Sequence, residues 1–149
     1  MAELPVLLAI VKVKKDDSAN VQKGAAMRLK NFLLVVEDME RAKSFYKEIF
    51  GLDVLRDFDT NVILTQGLVL QERASWEQAV GEPVSYGGKD TVLYIEEYDL
   101  DAFLKKVEGS GWDIHFLNPL QTLADGQKML RFTDPDGHVI EIREIKNYI

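Results

Sequence analysis

Residues 29–54, LKNFLLVVEDMERAKSFYKEIFGLDV, carry a strand, a capped helix and the start of a second strand. The apolar run over residues 29–36 has strand length, and Asp38 follows it with a side-chain oxygen that can take up free backbone N–H groups at a helix start. Ala42, Phe45, Tyr46 and Ile49 then recur at helical spacing, while Glu40, Arg41, Lys43, Lys47 and Glu48 fill the other face. Gly51 is placed to end the helix. Three short β-rich segments follow, over residues 54–58, 62–65 and 68–72, separated by the turn-formers Asp59, Asn61 and Gly67.

The second half repeats the pattern. Residues 91–96 read as a strand, Asp99 as a cap, Leu100, Phe103, Leu104 and Val107 as a helical apolar stripe, and Gly111 as its stop. Gly51-Leu52-Asp53-Val54 is answered by Gly111-Trp112-Asp113-Ile114, and residues 114–117, 128–132 and 139–144 supply three more strands. This is an internal duplication. One helix covers one face of each sheet, so the uncovered faces of two such sheets should meet around a hollow. The expected fold is α+β: two βαβββ modules, about residues 28–73 and 90–144, curling into a partly open barrel around a shared cleft. Residues 82–89, with Pro83, Gly87 and Gly88, read as the linker between repeats, and Trp76 and Val80 fit a short helix before it. Residues 27–149 then form a single domain. Residues 1–26 read as an N-terminal extension, either an added edge strand or an appended segment with a linker, and Met27 reads as a natural start.

Composition excludes several functions. A chain of 149 residues with 46% hydrophobic content can bury one core. No stretch approaches the roughly 20 apolar residues of a membrane-spanning helix. The net charge of −7 and the interspersed acids argue against nucleic acid or anionic lipid as partner, and favour a cationic ligand through long-range attraction. With no cysteine there is no disulfide framework and no thiolate metal site, which suits the cytoplasm.

The strand leading to Val36-Glu37-Asp38-Met39-Glu40-Arg41-Ala42, then Phe45-Tyr46-Lys47 and Gly51-Leu52, closed by Phe132-Thr133-Asp134-Pro135-Asp136-Gly137-His138-Val139-Ile140-Glu141, resembles the glyoxalase, bleomycin-resistance and dioxygenase superfamily, also called vicinal oxygen chelate. Members of that superfamily include metal-dependent isomerases and lyases, ring-cleaving dioxygenases, thiol transferases and metal-free proteins that sequester a drug. The resemblance implies paired modules, a homodimer and a divalent metal in the cleft. Its metal positions fall here on Asn31, Gln71 beside Glu72, a residue near Val92, and Glu141, of which only Glu141 fits well. Neutral amide oxygens are poor ligands for zinc, nickel or iron, and valine is none. A full family metal site is therefore not expected. Asn31, Gln71, Glu141 and Glu96 could form an oxygen-only set for magnesium or manganese.

If Asn31 and Glu141 face the cleft, period-two alternation also sends there Leu33, Val35, Gln71, Arg73, Val92, Tyr94, Glu96, Met129, Arg131, Val139 and Arg143. That mixture suits a site enclosing an organic molecule and orienting its polar end; equally, its arginines and glutamates could simply neutralise one another. His138 reads as a turn residue, and His115 as a strand residue that could act as base or ligand only if it faces the cleft. Two functional readings result. In the first the protein binds a small organic molecule without metal. In the second it is a glyoxalase-like lyase or isomerase in which Glu141, with or without a metal, moves a proton beside a carbonyl.

Overall fold

The computed structural model describes residues 26–146. The chain divides into two compact units, Met1–Asn31 and Phe32–Ile149. Of the first, only residues 26–31 are described; they form no helix or strand, and the expected N-terminal edge strand lies outside the described residues.

The second unit holds two modules. The first runs β1 (Phe32–Val36), α1 (Met39–Phe50), β2 (Val54–Asp57), β3 (Asn61–Leu64) and β4 (Leu68–Glu72). A short helix α2 (Arg73–Val80) and a loop lead to β5 (Val92–Glu97), α3 (Leu100–Glu108), β6 (Phe116–Thr122), β7 (Lys128–Thr133) and β8 (Val139–Glu144). Each module folds into a four-stranded mixed sheet, ordered β1-β4-β3-β2 and β5-β8-β7-β6, with the first strand parallel to the last. The fold is α+β with duplicated βαβββ modules, and the two sheets stay separate, without closing into a barrel.

The helix starts form as their chemistry dictates. The Asp38 side chain accepts from Arg41 N and that of Asp99 from Ala102 N, each at 3.0 Å. The ends differ. Gly51 closes α1 in the left-handed conformation, φ 68°, whereas α3 ends at Gly109 with φ −87°, and Gly111 takes its positive φ only after the helix is over. The expected stop at Gly111 and the strand expected over residues 114–117 therefore both move: β6 starts at Phe116 and runs through Pro119 to Thr122. Pro119 is tolerated because β6 is an edge strand, where a missing N–H costs no ladder bond.

One core serves both modules. Leu34, Val36, Val62, Leu64 and Leu70 from the first sheet and Leu130, Phe132, Ile140 and Ile142 from the second bury against Phe45, Tyr46, Ile49, Phe103 and Val107 of the helices. Phe50 stacks on Phe103 and Phe132 with centroids 6.0 and 6.1 Å apart. Trp112 meets Phe45 edge-on at 5.4 Å, the packing role expected of it.

Candidate functional site

The register of the second sheet fixes which side chains share its open face. Tyr94 pairs with Glu141, and Glu141 with Arg131; Glu96 pairs with Arg143, and Arg143 with Met129; Val92 pairs with Val139. The alternate residues Leu130, Phe132, Ile140 and Ile142 belong to the core, so these rows lie on the face turned away from it. The first sheet does the same with Leu33 opposite Val69, and Val35 and Asn61 opposite Gln71.

At the centre of the second face stands Glu141, 7% exposed. Its Oε1 accepts from Arg131 Nε at 2.6 Å and its Oε2 from Arg143 Nε at 2.8 Å. Neutral amides hold the same guanidinium groups from outside: Arg131 Nη1 donates to Asn118 Oδ1 at 2.8 Å and Arg143 Nη1 to Gln127 Oε1 at 3.0 Å. Arg143 Cζ also lies 5.5 Å from the centroid of the Tyr94 ring, in cation–π range. Burial pushes the Glu141 carboxyl up, but the two arginine hydrogen bonds outweigh it and hold the group below the usual carboxylate range. Tyr94 and Val92 remain 58% and 41% exposed.

Several expected site residues sit elsewhere. Arg73 leaves the sheet, because β4 ends at Glu72 and the chain turns into α2; its guanidinium pairs with Glu37 at 2.9 Å and with Glu77 at 3.3 Å. Asn31 precedes β1, half-buried, rather than forming part of the strand. Gln71 is committed locally, its Oε1 accepting from Asn61 Nδ2 at 2.7 Å and its Nε2 donating to Ser75 Oγ at 2.5 Å. His115 is exposed and outside any strand. His138 joins the modules: its Nε2–H donates to the Val35 carbonyl oxygen at 2.8 Å.

The donors do not suit a family-type metal. Both Glu141 oxygens already accept from guanidinium, the Gln71 amide oxygen accepts from Asn61, and Val92 offers nothing. Two other groupings bring carboxylates within 4.8 Å of each other, Asp134–Asp136–His138 and Asp99–Asp101–Glu144. The first is a clasp between the modules. Asp134 accepts from Tyr46 Oη and from the backbone N–H groups of Asp136 and His138, while Asp136 Oδ1 accepts from Arg41 Nη2 and Glu37 N. The turn-forming Asp-Pro-Asp-Gly signal gave the turn but not this role, which needs the partner helix to be seen. The second grouping serves the start of α3, with Asp99 capping it, Glu144 accepting from Leu100 N and Asp101 paired to Lys128.

Contacts between the modules run through the core, through the Asp134–His138 clasp, and through two bonds beside the helices, Lys106 Nζ to the Ile49 carbonyl oxygen and Trp112 Nε1 to Glu48. A groove of about 290 Å³ lies between β1, β5 and the loop over residues 84–91, and of the residues expected to face the cleft Leu33, Val35 and Val139 line it. No helix among the described residues is long and apolar enough to cross a membrane.

Solved structures share this architecture. A crystal structure of a protein of unknown function from Agrobacterium tumefaciens is 33% identical, with TM-score 0.72 over 85% of this chain and 99% of that one. A glyoxalase-related enzyme from Fulvimarina pelagi (20% identity, TM-score 0.68, 80% and 88% of the two chains) shares the fold. So does the fosfomycin resistance protein FosX from Listeria monocytogenes (14% identity, TM-score 0.64, 81% and 95%). No curated protein sequence matches. The model of the glyoxalase-like domain matches residues 29–146, most of the chain, and with the duplicated βαβββ modules this makes the protein a member of the glyoxalase-like domain family, within the vicinal oxygen chelate superfamily.

Proposed function

We propose that this protein binds a small organic molecule, without the family's metal, on the open face of its second sheet. Tyr94 and Val92 offer the apolar surface, Arg131 and Arg143 the polar contacts, and Glu141 holds the two arginines in place. The observation that carries this reading is the arginine–carboxylate–arginine clamp beside an exposed tyrosine. Surface ion pairs that merely neutralise one another do not require two guanidinium groups on one carboxylate, each braced by a further amide.

A homodimer is part of the proposal. It would close the site by bringing a second copy's first-sheet face, with Leu33 and Gln71, over the second-sheet face. The exposed apolar residues Leu33, Val54, Leu55 and Val92 support an unmet partner surface. A cytoplasmic setting is supported by the absence of cysteine. Proton transfer by Glu141 is the weaker reading, since a carboxylate with both oxygens occupied and its acidity increased is a poor base.

A thermal-shift screen with small molecules of every charge class tests binding, because a ligand of the folded state raises Tm by mass action. Hits that lose their effect in Arg131→Gln and Arg143→Gln are the expected result. Stoichiometric uptake of nickel, zinc or manganese by the purified protein would defeat the metal-free reading, and a monomer by light scattering would remove the dimer.

A further inference from the structure

We infer that the ligand of the second-sheet face is gripped by an oxyanion head group, a carboxylate or a phosphonate, accepting hydrogen bonds from the outer amino groups of Arg131 and Arg143. This rests on the binding reading above and gives it a ligand class.

The hydrogen-bond inventory of the clamp is the argument. Each arginine spends Nε on Glu141 and Nη1 on an amide oxygen, Asn118 for one and Gln127 for the other. Among the described residues neither Nη2 has a protein acceptor. The side chains are 33% and 23% exposed, so these amino groups are fixed in position on a face that solvent reaches. Their holders come from three places: Asn118 on β6, Gln127 in the turn before β7, and Glu141 on β8. A guanidinium locked on that many sides loses little freedom when it binds, and its planar fork matches an oxyanion.

Charge points the same way. Two guanidinium groups against one carboxylate leave the clamp with one net positive charge, inside a chain of net charge −7. Two further acids lie near the clamp, Glu96 opposite Arg143 in the register and Asp125, which pairs with Lys146; among the described residues neither makes an ion pair with Arg143. The whole-molecule charge would attract a cation from a distance, but at contact range the local sign decides, because salt screens separations beyond about 10 Å. Tyr94, half-exposed beside Arg143, gives the body of such a ligand a ring to lie against.

Four probes sharing one ring separate the classes: phenylphosphonate, benzoate, benzamide and benzyltrimethylammonium. Each is titrated into the full chain labelled with 15N-arginine, followed through the side-chain resonances of Arg131 and Arg143 and by calorimetry. The inference expects benzoate or phenylphosphonate to bind about tenfold tighter than benzamide, the equivalent of ~1.4 kcal/mol. It expects Arg131→Gln or Arg143→Gln to erase that preference. Arg143→Lys, which keeps the charge, guards against a variant that only unfolds, and should retain part of the preference with a native Tm. Tighter binding by benzamide or the ammonium, no binding by either oxyanion, or an oxyanion affinity unmoved by both arginine variants overturns the inference. The broader binding reading falls separately, if the screen across all charge classes yields no ligand of this face.

Discussion

The hydroxyl of Tyr46, on the helix of the first module, donates a 2.6 Å hydrogen bond to Asp134 Oδ2, at the head of the turn that closes the second. Both residues are buried, with Tyr46 0% and Asp134 4% exposed. The bond is therefore a joint between the duplicated halves, made where no water can replace it. Tyr46→Phe keeps the ring in the core and leaves a buried carboxylate oxygen without its donor. The expected cost is about 1–3 kcal/mol of unfolding free energy by urea titration, with the fold retained. A change below a few tenths would mean that the joint carries no stability.

The same hydroxyl shapes the alkaline limit. Burial first, and the charge of Asp134 second, push the Tyr46 hydroxyl well above its ordinary value of 10.0. Tyr86 is pushed up to about 12, again chiefly by burial. A proton held more tightly in the folded state gives stability that is intact below the unfolded value and is lost as pH rises past it. Unfolding free energy should thus decline above pH ~10, and less steeply in Tyr46→Phe. Parallel slopes for the two proteins over that range would rule the coupling out.

Much of this architecture could be read from the chain because the signals were local. Asp38 and Asp99 announced both helices, and strand alternation placed Met129, Arg131, Glu141 and Arg143 on one face, which the register bears out. Arg73 escaped the same rule because alternation holds only while a strand lasts, and β4 gives way to α2 at that residue. What was not legible is long-range. The contact of Phe50 with Phe132 and the clasp of Asp136 on Arg41 span more than 80 positions, and nothing in either segment names the other. These contacts join the two modules. In the same way, spacing shows that Glu141 and two arginines share a face but not that both carboxylate oxygens are taken.

The two helix ends make a matched test. Gly51 sits at φ 68° with open space where a Cβ would project, so Gly51→Ala meets backbone strain alone. It should cost about 1–2 kcal/mol, the penalty of placing a side chain in the left-handed region. Gly109, at φ −87°, closes the equivalent helix in a conformation that any residue adopts. Gly109→Ala should stay within about 0.5 kcal/mol of the parent, because the added methyl chiefly restricts the unfolded chain. Equal costs at the two sites, measured by urea unfolding, would contradict the different endings.

Glu141 gives the sharpest acid-side test. Its carboxyl is held below the ordinary 4.5, the arginine hydrogen bonds outweighing the opposing effect of burial. A group whose acidity rises on folding adds stability above its unfolded value and loses it as pH falls through the folded one. In Glu141→Gln the arginines lose their anionic acceptor, and one oxygen at most can still accept from them. At pH 7 the variant should therefore be less stable by about 1–3 kcal/mol. The deficit should shrink as the pH drops below the ordinary carboxyl value, because the parent protein then protonates the same group and gives up the same interactions. Subtracting one titration curve from the other cancels every other acid in the chain. A deficit that holds constant down to pH ~3, or widens, would show that the two guanidinium groups do not stabilise this carboxylate in the folded state.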